Sequence, residues 1–219
     1  MNYYKQPLLY LLFFAPIFLP ACKNKGNNNT RPDTLPDSAV LINNITPSPS
    51  TVRKNAYADV DVSPMDMCYY PQNYPQLKMT NPKMAPPVMR LIYSRPHLQH
   101  RKLFHDILKY GEPWRMGANE ATELNVFQTV KLNNKTLATG RYSIYCIPQD
   151  QYWTIAINSN LDTWGLKIDA TKDMVRAKIP VTHNNPHLEY LTMMFEKNGE
   201  DVDLVIGWGD VVAKLPFQL

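Results

Sequence analysis

The sequence predicts a mainly β protein, an antiparallel β-sandwich with one short helix at about residues 102–110. Three observations carry that prediction. Beyond residue 60, short apolar runs alternate with polar residues at the period of a strand. Turn signals separate those runs at short intervals, among them Asn133-Asn134, Asn198-Gly199 and Gly209-Asp210. Helical periodicity occurs only once. Many short strands with frequent turns and a single helix describe two packed antiparallel layers.

Each element follows from local pattern. Val88 to Tyr93 is a strand that stops before Pro96. In Lys102 to Tyr110, Leu103, Phe104, Ile107 and Leu108 form one apolar stripe, with Gly111 placed to end the helix. Thr122, Leu124 and Val126 alternate with Glu123, Asn125 and Phe127. Val130 and Leu132 lead into the Asn133-Asn134 turn, and Gly140 opens the next strand. There Tyr142, Ile144 and Cys146 share one face and Tyr145 and Ile147 the other, as in a strand covered on both sides. Tyr152 to Ile157 and Met174 to Val181 follow. Tyr190 to Phe195 and Val202 to Trp208 flank Asn198-Gly199 as a hairpin, and Val211 to Leu215 closes the series. Trp153 and Trp208 fall in apolar alternation and read as core; Trp164-Gly165 lies between strands and reads as rim.

The chain before this domain divides in two. Residues 1–21 read as a bacterial lipoprotein signal peptide: Lys5, then an apolar run from Leu8 to Leu19, shorter than the ~20 residues of a membrane span. Leu19-Pro20-Ala21-Cys22 follows as a lipobox, with Cys22 as the acylated residue that anchors the mature protein to a membrane. Residues 22–59 are rich in Asn, Pro, Ser and Thr and too poor in apolar side chains to form a core, so they read as a disordered tether. Residues 60–219 form the one folded domain. This places the protein in the cell envelope, facing the periplasm or the cell surface. Loss of the leader removes Lys5 and lowers the formal charge of +4 by one. No basic block reads as a nucleic-acid arm. Cys68 and Cys146 lack metal or redox spacing and read as two buried thiols.

Between Tyr93 and Thr122 the chain concentrates its polar and aromatic chemistry: Tyr93, Arg95, Arg101, Trp114, Arg115, Asn119, Glu120 and Thr122. Such residues on irregular backbone, held by a rigid sheet, are candidates for binding. Arginine offers a planar fork for carboxylate or phosphate, Trp114 a flat platform, and Asn119 an amide. Together they suit a glycan or a small anion. The leading reading is a non-enzymatic binding or interaction domain for such a ligand or for a partner protein. A hydrolase built on Glu120 with Arg95 and Arg115 is a second reading, and Glu112, Glu120 and Glu123 offer a carboxylate pair for glycoside chemistry. A third makes the block a network that only specifies the fold, with Arg95 or Arg115 paired to Glu120. His97, His100 and His105 hold imidazoles that suit zinc, copper or nickel, yet in no standard ligand spacing. They read as exposed loop histidines, and no metal or cofactor is expected.

The same block resembles a known family. Tyr93-Ser94-Arg95-Pro96, Arg101-Lys102-Leu103-Phe104, Tyr110-Gly111-Glu112-Pro113-Trp114-Arg115 and Gly117-Ala118-Asn119-Glu120-Ala121-Thr122 are similar to the signature of domain of unknown function 2911. The similarity continues through Ala138 to Tyr142, Tyr145 to Pro148, Trp153-Thr154, Trp164-Gly165 and Trp208, and Ser63 to Met67 resembles its N-terminal edge. His100 and His105 stand where the family usually has glycine. The resemblance implies a β-sandwich, often a lipoprotein of Bacteroidota, and transfers no reaction.

Overall fold

The computed structural model describes residues 61–219. The leader, Cys22 and the tether lie outside the described residues. The first half comprises β1 (Met65–Tyr70), helix α1 (Tyr74–Thr80), β2 (Met89–Ser94), a π-helical turn (Leu103–Ile107), β3 (Glu123–Val126), β4 (Val130–Leu132) and β5 (Lys135–Leu137). The second comprises β6 (Gly140–Pro148), β7 (Tyr152–Asn158), a 3₁₀ turn (Ala170–Lys172), β8 (Asp173–Thr182), β9 (Leu188–Asn198), β10 (Asp201–Gly209) and β11 (Val211–Phe217). The mainly β, antiparallel prediction holds. Its layers are two halves of one nine-stranded sheet, ordered β1-β2-β3-β6-β7-β8-β11-β10-β9, which curls until β9 packs against β1 as a nearly closed barrel. β4 and β5 form a small separate hairpin.

Alternation sets which face is buried. β8 buries Val175, Ala177 and Ile179 and exposes Arg176 and Lys178 between them, while β11 buries Val211, Ala213, Leu215 and Phe217. On β6 Ile144 and Cys146 are buried on one face and Tyr145 on the other, so this strand is covered on both sides. The Tyr145 hydroxyl donates to Asp173 Oδ2 (2.9 Å) and accepts from Arg176 Nη2 (3.0 Å). The turns obey their residues. Asn133 and Asn134 both take positive φ (50° and 60°), the requirement of a type I′ turn. The Asn198-Gly199 hairpin is present one residue along: Asn198 pairs with Asp201, and Gly199 (φ 62°) is the first of two loop residues.

The helical prediction needs correcting. Only Leu103 to Ile107 is helical, as a π turn, and Leu108 is already extended (φ −110°, ψ 152°). Leu103 and Leu108 are both buried, and the Leu108 N–H donates to Leu103 O at 2.8 Å. Five residues apart on an α-helix, they would diverge by roughly 140°; the wider π turn brings both onto the core. Gly111 is left-handed (φ 80°) and turns the chain onto β6 through its N–H to Pro148 O (2.9 Å). Helix α1 escaped the sequence reading because it buries no residue and has no apolar stripe. Its one signal is Pro75 in the first turn.

The seam between β9 and β1 is closed by side chains and loop backbone rather than by a ladder. On the free edge of β9, Glu189 O accepts from Leu98 N–H (3.0 Å) and Leu191 N–H donates to Pro96 O (2.9 Å). Arg95 Nε donates to Leu191 O (3.0 Å). The Tyr93 hydroxyl donates to Met193 O (3.2 Å) and accepts from Met193 N–H (2.9 Å). Gln72 Nε2 donates to Phe195 O. The edge is thereby satisfied from 189 to 195, which removes it as a template for another strand.

Candidate functional site

After β2 the chain crosses one end of the barrel before returning at β3, and this excursion builds a cleft. Its floor is aromatic. The backbone of Trp114 forms a two-way bridge with Cys146 on β6 (2.7 and 2.8 Å). Its indole stacks on Trp208 (centroids 5.7 Å, 26°), meets Trp153 edge-on (6.2 Å, 84°) and donates from Nε1 to Gly117 O (3.3 Å). Trp153 and Trp208 are fully buried and Trp114 half-buried. The cleft above has a volume of about 560 Å³ and is lined by Trp114 with Trp208, the cations Arg101, Lys109 and Arg115, the carboxylate Glu112, and Ser63, Gln99, Gly117 and Gly165.

Arg115 is the best-positioned charge. Its Nη1 donates to Trp164 O (2.9 Å), and its guanidinium lies 5.8 Å from the centre of the Trp164 ring. Trp164 is 55 % exposed, the rim position the sequence indicated. Burial pulls the Arg115 pKa below its ordinary value. None of the ion pairs among the described residues includes Arg115. The contact depends on Gly165, which is left-handed (φ 77°); a Cβ there would sit 2.9 Å from Arg115 Cβ and 3.0 Å from Ala121 Cβ.

The structure separates the eight sequence candidates. Arg101, Trp114 and Arg115 line the cleft. Arg101 holds its own loop, donating from Nε to Leu98 O (2.9 Å) and from Nη2 to His97 O (2.8 Å). Tyr93 and Arg95 belong to the seam, where Arg95 also reaches Asp66 Oδ2 (3.2 Å) and Thr192 Oγ1 (3.1 Å). Thr122 is buried and donates to Met116 O (2.8 Å), fixing the return to β3. Asn119, left-handed at φ 59°, donates to Asp61 Oδ2 (2.7 Å). Glu120 pairs with neither arginine. It is exposed and lines a separate depression of about 280 Å³ with Glu123, Arg141 and Asp162. In that depression burial raises the Glu123 pKa, but hydrogen bonds from Arg141 and Asn125 outweigh it and hold the carboxyl low. Sequence reasoning had Glu112 only as one of three candidate carboxylates, and missed Lys109 and Ser63 as cleft residues and Asp66 as the partner of Arg95. Lys109 and Glu112 sat within the block; Asp66 carried no local signal.

The histidines do not converge. His97 is no exposed loop histidine: it stacks on Tyr190 (5.0 Å, 8°), with Nδ1 3.9 Å from Glu189 Oε1 and Nε2 buried without a partner. His100 is exposed, and exposed His105 bonds through Nδ1 to Asp106 Oδ1 (2.6 Å). Among the described residues no three His, Cys, Asp or Glu side chains gather to hold a metal ion. Cys68, half-buried on β1, and Cys146, buried on β6, are free thiols. Burial pushes Cys68 up to about 12 and Cys146 well above its usual value.

A family model described as a protein of unknown function, DUF2911, matches residues 76–217. The chain belongs to this family. No curated protein and no solved structure matches it. The DUF2911 span contains the whole excursion from Tyr93 to Thr122 and ends with β11, but it begins inside α1 and leaves β1 outside. It therefore omits Ser63 to Met67. The structure accounts for one expected DUF2911 glycine. His100 has φ 64°, a left-handed conformation that costs a side chain roughly 1–2 kcal/mol and glycine little. His100→Gly is expected to raise stability by up to about 1 kcal/mol, read as an increased denaturant midpoint at unchanged slope. A loss of stability would mean that the imidazole makes a compensating contact.

Proposed function

We propose that the protein is lipid-anchored at Cys22 in the bacterial cell envelope, and that its barrel domain binds a small polar ligand in the Trp114–Arg115 cleft without chemical conversion. The observation that carries this reading is Arg115: a half-buried guanidinium with no carboxylate partner among the described residues, beside a stacked indole in an open cleft. A partly desolvated charge without a counter-ion gains when a ligand supplies one. The cleft volume of about 560 Å³ suits a small molecule, for which sites run from ~300 to ~1,000 Å³. The lipobox supports the anchor and the envelope location.

The hydrolase reading draws less support. Glu120 opens away from Arg115, in the depression it shares with Arg141. Among the described residues the cleft has one carboxylate, Glu112, 3.9 Å from Lys109 Nζ, and no histidine to act as a base. Thermal shift of the full chain against neutral sugars, acidic sugars and small organic acids tests the proposal. A ligand at 100 times its dissociation constant adds about 2.7 kcal/mol of stability. At least one compound is expected to raise the melting temperature, and Arg115→Ala is expected to abolish the shift. A shift that survives this substitution moves the site elsewhere.

A further inference from the structure

We infer that the ligand class of this cleft is an acidic sugar, a pyranose ring carrying a carboxylate, with its ring against Trp114 and its carboxylate on Arg115. The inference rests on the reading of the cleft as the ligand site and adds the ligand's chemistry. Among the described residues three cations line the cleft against one carboxylate, Glu112, which Lys109 already offsets. Arg101 spends Nε and Nη2 on loop carbonyls and adds mainly field. Arg115 makes one side-chain hydrogen bond, from Nη1 to Trp164 O, and keeps the remaining donors of its planar fork. A carboxylate in the guanidinium plane takes two of those donors in parallel, which a rounder or neutral group does less well.

The surroundings narrow the class further. Trp114 lines the cleft as a flat apolar side chain stacked on Trp208. The C–H face of a pyranose needs such a surface, whereas inorganic phosphate would use only the arginine. Ser63, Gln99 and Arg101 at the margin offer hydrogen bonds that ring hydroxyls take and a plain aromatic acid leaves unmade.

Calorimetric titration of the full chain at low ionic strength, with tetragalacturonate, its fully methyl-esterified form and inorganic phosphate, tests this. The ester keeps the rings and removes the charge. The acid is expected to bind at least about tenfold tighter than the ester, an advantage that Arg115→Gln reduces to near unity and Arg115→Lys keeps in part. Lys109→Gln, an exposed position whose side chain holds no loop and which serves if Arg115→Gln does not fold, is expected to weaken the acid several-fold and the ester less. Equal binding of acid and ester overturns the inference while leaving the cleft a ligand site. Phosphate binding as tight as the acid also overturns it. Failure of all three, together with every neutral sugar, removes the reading of the cleft itself.

Discussion

Replacing Trp208 with alanine is expected to cost the domain about 3–5 kcal/mol. Trp208 is fully buried, stacks on Trp114 and donates from Nε1 to Glu189 O (3.2 Å). Its loss leaves a cavity under the cleft floor and frees Trp114 to tilt into it, so ligand binding should fall with stability. Trp164 supplies the contrast. It is an indole of the same size, but exposed, and Trp164→Ala is expected to stay within about 0.5 kcal/mol. Urea or guanidinium unfolding of the two variants measures the difference. A loss below about 1 kcal/mol at Trp208 would show that the stacked indoles do not support the floor.

Tyr93→Phe is expected to cost about 1–3 kcal/mol, although it removes a single oxygen. That oxygen serves both the N–H and the C=O of Met193, and phenylalanine leaves two backbone groups in a buried seam without partners. The effect depends on pH. Burial pushes the Tyr93 hydroxyl up to about 12, with the Met193 hydrogen bond opposing and the Asp66 charge adding. A folded pKa above the unfolded value of ~10 means that the neutral phenol's contribution is complete below pH ~10. It is lost as pH rises toward 12. Tyr145, also raised to about 12 mainly by burial, and Cys68 add to the same alkaline slope. Tyr93→Phe should therefore flatten part of the stability decline between pH ~10 and 12 while lowering stability at neutral pH. An unchanged slope would mean that Tyr93 ionises without opening the seam.

Most strands were legible because period-two alternation and turn chemistry are local. Val175, Ala177 and Ile179 announce their face, and Asn133-Asn134 its turn, without reference to anything distant. The helices were not legible in the same way. Leu103, Phe104, Ile107 and Leu108 fit an α stripe, but the core needed Leu103 and Leu108 superposed, and a π turn does that. Three of the eight candidate residues were rightly placed at the cleft. Trp114, Arg115 and Arg101 do line one cleft, whereas Tyr93, Arg95 and Thr122 share its sequence block but face the seam or the core. Composition shows that polar residues gather; only the barrel's curvature assigns each to ligand, loop or clasp. Asp66, 29 residues before Arg95, illustrates the limit.

The side-chain closure of the barrel also governs time. The sheet's neighbours β6-β7 and β11-β10-β9 are joined by short connections and can zip as hairpins, but Tyr93 and Met193 lie 100 residues apart. Closing so long a loop is entropically late, so the seam should be unformed at the folding barrier. Weakening it then accelerates unfolding with little effect on refolding. For Tyr93→Phe, the unfolding arm of a chevron should carry most of the change. The clasp formed by Tyr93, Arg95 and Gln72 thus sets how long the barrel lasts once made, rather than how fast it forms.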